Sequence, residues 1–592
     1  MKDFEDRISA HLSFLYGQRQ AESLWGQIKA IIADFKAGRP DMDHPEGTGT
    51  AFDQRDAILI TYGDQVRTPG QTPLQSLGGF LNEYMRDVIS GVHILPFYPY
   101  SSDDGFSVID YRRVNPDLGT WEDIAAIGEN FRLMFDAVIN HISRRSEWFQ
   151  AFLRGEKPYA DYFITVDPAT DLSQVVRPRA LPLLTPVNTA IGIQHVWTTF
   201  SDDQMDLNYV NPEVLLEVIR ILLEYVSRGA EIIRLDAIAY LWKEIGTPCI
   251  HLPQTHRVVK LIRAILDLAA PHVILITETN VPQQENISYF GNPIAQGGRT
   301  DEAQMVYQFP LAPLVLHSFH SGDATKLTAW ASQAQPSPGG MFFNFIASHD
   351  GIGMMPARGL LSEVEIQALV EKTIAHGGRV SYKANRDGSQ SVYEMNVTLF
   401  DALNDPSAPN PSLDARRFLA SQAIMLALAG VPGIYFHSLF GLRNCQPHAG
   451  QSGMARSINR EKMSRASLDA LLADATAHHA CVFEGYCQML RVRRGQAAFH
   501  PGGGQRTLSL NPAIFALLRT PPDGNAHLSV FCLVNVSAEP QTITLHLGER
   551  GLSIKTRMRD LLDGQLYSME GGHILLKIEP YQVLWLQQAN DR

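Results

Sequence analysis

The sequence is poor in cysteine and in long apolar runs, and each shortage excludes a class of protein. Only five of the 592 residues are cysteine, and they form no C-x-x-C pair and no Cys/His metal spacing. A sparse, odd set of cysteines is typical of a reducing compartment. No stretch reaches the roughly 18 apolar residues of a membrane span, and the N-terminus has no apolar signal segment. We therefore expect a cytoplasmic protein with no membrane partner.

The sequence also lacks any excess of positive charge. Its formal net charge is −12, which argues against nucleic acid as a partner. The net charge does not exclude an anionic small substrate, because a few local arginines are enough to bind one. We find no Asp/Asn cluster with calcium spacing, so we expect no metal and no organic cofactor.

Three apolar runs that end in a carboxylate are the most informative feature. They span 231–237, 273–279 and 342–350, and their carboxylates are Asp236, Glu278 and Asp350. Any one of them could be a helix cap or half of a buried ion pair. A carboxylate at the carboxyl end of an α/β-barrel strand is usually catalytic, and burying a charge is costly unless it is paired or used. Three together indicate chemistry at an electron-poor carbon.

Other short apolar runs alternate with helical segments, which predicts βα units around a parallel sheet. Eight such strands would close a (β/α)8 barrel; they lie at 57–62, 92–96 and 133–141, then end at Asp236, Glu278, Phe309 and Asp350, with 430–436 as the last. We assign the barrel to 56–141, 210–350 and 411–499.

The remaining text predicts additions to the barrel. Residues 1–55 read as a helical extension followed by a Pro/Gly-rich linker at 38–49. Residues 142–209 and 351–410 are too long for plain βα loops, and we expect small inserted domains on the catalytic face. Residues 500–592 alternate like the short strands of a β-sandwich.

Carboxylates in this arrangement suit a retaining reaction at a glycosidic bond, which needs a nucleophile and a protonated acid. Asp236 would attack the anomeric carbon, and Arg234 would keep it ionised by charge pairing. Glu278, in an apolar strand, would have a raised pKa and act as the acid. Asp350, with His349, would stabilise the transition state.

At these residues the chain resembles the α-amylase superfamily, glycoside hydrolase family 13. Its four signature regions match 136–141, 234–237, Glu278 and 349–350. The segments 93–98, 104–106, 177–179, 200–204 and 457–460 resemble the sucrose-phosphorylase branch. Within that branch the text looks most like glucosylglycerate phosphorylases, with glucosylglycerol and sucrose 6-phosphate phosphorylases as near relatives.

The resemblance implies roles for further residues. Asp236 is the implied nucleophile, Glu278 the acid/base and Asp350 the stabiliser. The residues implied for glucose binding are Asp103, Phe106, His141, Gln204, Arg234, His349 and Arg460. Those implied for acceptor and phosphate are Arg179, Tyr393 and Glu394, with Lys243 and Arg443 as further candidate phosphate donors.

Glu394 is a departure from sucrose phosphorylase, which has glutamine at this position. A carboxylate there argues against plain fructose as acceptor, since it would accept hydrogen bonds from a polyol. It would repel phosphate or glycerate unless an arginine offsets it. The implied activity is that of a hexosyltransferase: a retaining α-glucoside phosphorylase that forms α-glucose 1-phosphate from a glucosylglycerate- or glucosylglycerol-type substrate.

Four alternatives stay open at this stage. They are a sucrose phosphorylase, a sucrose 6-phosphate phosphorylase, a retaining α-glucoside hydrolase or transglucosidase, and a noncatalytic amylase-like binding protein. The expected partners are therefore a small α-glucoside and inorganic phosphate. A homodimer is compatible with the sequence.

Overall fold

The fold was obtained as a computed structural model, which describes residues 2–38, 52–179, 181–294, 299–336, 338–385, 389–446, 454–546, 557–569 and 572–589. Its centre is a closed barrel of eight parallel strands. In chain order we label these strands β1 (Ile58–Thr61), β2 (Gly91–Ile94), β3 (Arg132–Ala137), β4 (Ala230–Leu235), β5 (Ile274–Thr277), β6 (Met305–Tyr307), β7 (Met341–Asn344) and β8 (Val431–Tyr435). The predicted (β/α)8 barrel is confirmed.

Helices surround the barrel and bury its outer face. The principal ones are Pro73–Tyr84, Trp121–Gly128, Pro212–Ser227, Pro253–Ala269, Leu311–Ser321, Thr325–Gln333, Pro411–Ala427 and His478–Arg494. Pro212–Ser227 shows why they form: it has proline in its first turn, an Asn211 cap that accepts from Glu213 N, and an almost continuous buried apolar face. The core is thus the layer between strands and helices.

Two expected strand ends are wrong. We predicted one strand over 133–141, but β3 ends at Ala137. We predicted that the strand of the 342–350 run ends at Asp350, but β7 ends at Asn344. There Asn344 lies opposite Pro432 of β8, whose nitrogen has no proton to continue the ladder. His349 and Asp350 therefore lie on the loop that follows β7.

The two long connections carry secondary structure of their own. In the first, His141–Ser143 pairs with Gln204–Asp206, and a hairpin joins Leu184–Thr189 to Gly192–Trp197. In the second, the helix Glu363–Ala375 lies in sequence between the first two strands of a three-stranded sheet; these strands are Ile352–Gly353, Arg379–Ala384 and Gln390–Asn396. Their division into inserted domains at 142–209 and 351–410 stays a prediction.

Two N-terminal helices, Lys2–Tyr16 and Gln18–Gly38, pack on the outside of the barrel. Ile8 and Leu12 are fully buried where the first helix meets Pro253–Ala269. The Tyr16 hydroxyl also donates to the carbonyl of Tyr209 at 2.9 Å. The expected linker at 38–49 lies, apart from its first residue, outside the described residues. No helix in the described part of the chain is long and apolar enough to cross a bilayer.

The C-terminal region is rich in strands. A six-stranded sheet contains, in spatial order, Gly504–Thr507, Ile514–Thr520, Val530–Asn535, Val583–Gln588, Arg557–Asp560 and Leu566–Ser568. Gln541–His546 and His573–Ile578 form a second, two-stranded sheet, and apolar residues of both sheets share one core.

Two buried arginines connect this region to the floor of the barrel. Arg493 donates to the carbonyls of Gln54, Asp56, Leu426, Gly430 and Phe499. Arg519 donates to the carbonyls of Ala427, His500 and Gly504. Because Asp56 and Gly430 precede β1 and β8, these bonds fix the entry to both strands.

Candidate active site

The strand register brings Asp236 and Glu278 to the same level of the barrel mouth. Arg234 of β4 pairs with Ile276 of β5, and Asp236 and Glu278 each follow two residues later. The amide of Glu278 donates to the carbonyl of Leu235 at 3.1 Å, so the ladder continues to this point. Since side chains two residues apart share a face, Arg234, Asp236 and Glu278 face the same space.

Arg234 lies between the two carboxyls. Its Nη1 contacts Asp236 Oδ1 at 2.7 Å, and its Nη2 lies 3.8 Å from Glu278 Oε2. The amide of Ala237 also donates to Glu278 Oε2 at 3.0 Å. The side chain of Arg234 is 2 % exposed. A guanidinium in this position fixes both carboxyls and favours the ionised form of the nearer one.

Asp136 is a member of this cluster that the sequence reasoning did not single out. It is fully buried on β3, level with Arg234, and accepts hydrogen bonds from Arg234 Nη1 and from His93 Nε2, the latter at 2.7 Å. Its contribution is to hold Arg234. The signal was present in the sequence, because Asp136 follows an apolar strand as Asp236 does. We refer to Asp136, Arg234, Asp236 and Glu278 as the strand-end group.

Burial raises the pKa of the carboxyls of both Asp236 and Glu278. For Glu278 the pKa rises to about 7, because burial, Asp236 and Asp350 outweigh Arg234. For Asp236 burial also raises the pKa, so Arg234 moderates that shift without reversing it. Arg234 is closer to Asp236, and a proton shared by the two carboxyls therefore resides on Glu278. One carboxylate and one carboxylic acid stand side by side.

Asp350 and Asp103 keep their charges for the opposite reason. Burial alone would raise the pKa of Asp350, but the guanidinium groups of Arg456 and Arg460 outweigh it and hold the pKa well below its usual range. Burial likewise opposes ionisation of Asp103, yet Arg179, Arg456 and Arg460 lower its pKa to about 2. Both carboxylates are acceptors at every working pH.

Four of the predicted glucose-binding side chains form one cluster. Phe106 stacks on His349, with ring centroids 4.9 Å apart and planes 2° from parallel. His141 Nε2 and Gln204 Nε2 contact the carbonyl of Phe106 at 2.9 and 3.1 Å. Burial lowers the pKa of His349 to about 3, so its imidazole is neutral. The ring of Phe106 also lies 5.7 Å from the guanidinium carbon of Arg234, which ties this cluster to the strand-end group.

Arg460 links the segment of Asp103 and Asp104 to the loop of His349. It is fully buried and donates to Asp104 Oδ2 at 2.7 Å and to the carbonyl of His349 at 2.8 Å. Its Nη atoms lie 3.8 Å from Asp103 and 3.7 Å from Asp350. Asp103 and Asp104 both adopt left-handed backbone conformations, with φ of 54° and 48°. Such strain outside glycine is typical of a functional constraint.

The residues predicted for acceptor and phosphate come from two separate segments: Arg179 lies in the first long connection, and Tyr393 and Glu394 lie on the strand Gln390–Asn396 of the second. Arg179 is 30 % exposed and contacts Asp103 Oδ2 at 3.4 Å. Glu394 is buried and accepts from the amide of Gly351 at 2.6 Å. Tyr393 lines a cavity with Glu278 and Asp350.

Arg456 is the residue that sequence reasoning missed here. Its Nε and Nη2 bind Glu394 at 3.0 and 2.7 Å, while its Nη1 lies 2.6 Å from Asp350 Oδ1. It directly precedes the segment 457–460, and that position was its only signal. The arginine needed to offset Glu394 is therefore present. We refer to Arg179, Tyr393, Glu394 and Arg456 as the loop group.

Lys243 and Arg443, the two other residues predicted to donate hydrogen bonds to phosphate, pair with other carboxylates. Lys243 is buried and contacts Asp206 Oδ2 at 2.5 Å and Asn140 Oδ1 at 2.8 Å. Arg443 pairs with Asp401 at 2.6 Å and lies 3.7 Å from Asp414. Both bind structural carboxylates rather than the strand-end group or the loop group.

The barrel and its strand-end carboxyls are those of an enzyme of the alpha-amylase class, and the comparisons agree. Residues 82–351 match the family described as "Alpha amylase, catalytic domain". The glucosylglycerate phosphorylase of Allomeiothermus silvanus is 49 % identical over 588 residues, covering 99 % of each chain. That of Escherichia coli is 44 % identical over 539 residues, covering 90 % of this chain and 92 % of its own.

A solved structure supports the same grouping. The sucrose 6F-phosphate phosphorylase of Thermoanaerobacter thermosaccharolyticum superimposes with a TM-score of 0.70 at 25 % identity, covering 83 % of this chain and 96 % of its own. The chain therefore contains an alpha-amylase catalytic domain and belongs to the family of the glucosylglycerate phosphorylases. The predicted family and the predicted class of enzyme, a phosphorylase of the glycosyltransferase type, are confirmed.

Proposed function

We propose that this enzyme transfers the glucosyl group of 2-O-α-glucosylglycerate to inorganic phosphate, giving α-glucose 1-phosphate and glycerate. The observation that carries the proposal is identity of 44–49 % to glucosylglycerate phosphorylases over 90–99 % of the chain. The glucosylglycerol phosphorylase of Marinobacter adhaerens is more distant, at 28 % identity over 68 % of the chain. Glycerate is accordingly the preferred acceptor in this proposal.

The first half of the reaction uses the strand-end group. Asp236 attacks the anomeric carbon and forms a β-glucosyl ester, while Glu278 gives its proton to the departing glycerate oxygen. The raised pKa of Glu278, about 7, supports this role because a large protonated fraction remains at neutral pH. The close ion pair with Arg234 supports Asp236 as the carboxylate of the pair.

The second half of the reaction transfers glucose from Asp236 to phosphate. An oxygen of hydrogen phosphate attacks the anomeric carbon, the bond from that carbon to Asp236 breaks, and Asp236 leaves as a carboxylate. Two inversions give net retention. Phosphate needs little deprotonation, so what it needs is a local positive field and exclusion of water.

The remaining residues would position glucose. In this proposal Asp350 and Asp103, held ionised by their arginines, accept hydrogen bonds from sugar hydroxyls. Phe106 gives an apolar platform. The other glucose-binding residues are His141, Gln204, Arg234, His349 and Arg460.

Running the reaction backward tests the assignment. Glucose 1-phosphate is offered with glycerate, glycerol, fructose or fructose 6-phosphate, and released phosphate is measured. We expect glycerate to give the fastest release and the highest kcat/KM. Equal release with no acceptor would identify a hydrolase, and preference for a fructose acceptor would identify a sucrose-type phosphorylase.

We also propose that the enzyme works in the cytoplasm and with no organic cofactor. None of the five cysteines, all of them in the described part of the chain, forms a disulfide, which supports a reducing compartment. A homodimer remains our expectation, and its test is the mass of the enzyme in solution.

A further inference from the structure

Arg456 holds two carboxylates and still has donors to spare. A guanidinium carries five N–H groups. Glu394 takes the Nε and one Nη2 proton, and Asp350 faces Nη1. One N–H on each terminal nitrogen therefore remains for a ligand. The side chain is 21 % exposed, so it is reachable from the site.

The surroundings of Arg456 place it beside the leaving group. Arg456, Glu278, Asp350 and Tyr393 line one cavity. Because Glu278 protonates the departing oxygen, the departing group lies on the Glu278 side of the glucose. Burial raises the pKa of Tyr393. Arg456, Glu278 and Arg179 all lie close enough to its hydroxyl to affect that pKa. Tyr393 thus remains a neutral donor among them.

The two fully buried arginines of the site pair with carboxylates on the side that would bind the glucosyl group. Arg234 binds Asp136 and Asp236, and Arg460 binds Asp104 and the carbonyl of His349. Among the arginines described so far, Arg456 is the one that lines the cavity together with Glu278.

We propose that Arg456 is a specificity-determining residue: it binds the carboxylate of glycerate in the first half of the reaction and phosphate in the second. The inference rests on the proposed function. Both anions must occupy the same place, because each bonds to the anomeric carbon from the Glu278 side. Glu394 orients the guanidinium and weakens its field, so the site accepts an anion without trapping it.

The test separates acceptor binding from donor binding. α-Glucosyl fluoride loads Asp236 with glucose without bringing a phosphate or carboxylate to the site. The loaded enzyme is then offered phosphate, glycerate, neutral glycerol or water alone, and the share of glucose going to each is measured. This ratio is internal to each sample, so a lower folded fraction does not change it.

Arg456→Met should reduce transfer to phosphate and glycerate about 10- to 100-fold relative to glycerol, the effect expected for one charge-assisted hydrogen bond. Arg456→Lys keeps the charge but not the two-pronged geometry, and should lie between wild type and Arg456→Met. Glu394→Gln removes the opposing charge and should favour the anions over glycerol.

The double variant Glu394→Gln/Arg456→Met leaves no unpaired buried charge and serves as the matched control for folding. It should retain the loss of anion preference. An unchanged ratio of anionic to neutral acceptors in Arg456→Met or the double variant would overturn the inference, as would reduced anion preference in Glu394→Gln. If wild type itself passes glucose only to water, the proposed function fails and the variants are not needed to show it.

Discussion

The strand-end group and the loop group are built in different ways. Asp136, Arg234, Asp236 and Glu278 come from three adjacent strands, and the register of the ladder fixes their relative height. The loop group comes from three segments outside the barrel strands. Within it Glu394 pairs with Arg456, whereas Arg179 pairs with Asp103. A ladder tolerates little change, whereas loops on a rigid scaffold can be exchanged. In the proposed function the reaction is thus tied to the barrel strands, and the choice of acceptor to the segments outside them.

The largest effect should come from the strand-end group. Asp236→Ala should lower glucosyl transfer by about 10 000-fold or more, because no ester can form. Formation of glucose 1-phosphate from glucosylglycerate measures this, and thermal unfolding checks that the barrel survives. Turnover close to that of wild type would remove Asp236 as nucleophile.

Glu278→Gln should cost about 100- to 10 000-fold with glucosylglycerate, since the departing oxygen then lacks its proton. α-Glucosyl fluoride, whose leaving group needs far less assistance, should be spared. The comparison of kcat/KM for the two donors measures the difference. Equal losses on both donors would argue against Glu278 as the acid.

Arg179→Ala should have a smaller effect, confined to the acceptor side. Loss of this partly exposed cation should raise the KM for phosphate about 10-fold while residual hydrolysis changes little. Arg177→Ala, two residues earlier on the same segment, is the matched control. If the KM for phosphate did not change, the loop group would lose Arg179.

The pH profile should show the smallest and most gradual effect. The folded-state pKa of Glu278 is raised to about 7, so its protonated, active form is lost as pH rises through 7. We expect kcat/KM for phosphorolysis to fall about tenfold per pH unit beyond that point. With α-glucosyl fluoride this decline should be much weaker. A flat profile from pH 6 to 9 with glucosylglycerate would contradict the assignment.

The difference between the strand-end group and the loop group also explains which residues could be predicted from sequence. Side-chain alternation along a strand follows from its period of two, so Arg234 and Asp236 could be placed together, and Glu278 beside them, from apolar runs alone. Asp350 could be predicted from sequence, although the strand predicted before it is six residues too long. The strand ends early because Pro432 lies opposite Asn344, and the sequence alone does not reveal that pairing. Arg456 could not be found, since its partner Glu394 is 62 residues away and no periodicity links two loops.

The arginine contacts beneath the barrel bear on how this enzyme can be re-engineered. Eight main-chain oxygens around the start of β1 and β8 and in the segments beside them are satisfied by two guanidinium groups. A chimaera that exchanges the tail from residue 500 onward discards Arg519 and leaves the buried carbonyl of Ala427 without its donor. A graft site N-terminal to Asp56 would meet the same obstacle through Gln54. Shuffling of modules in this fold is therefore safest at the rim of the barrel, not at its base.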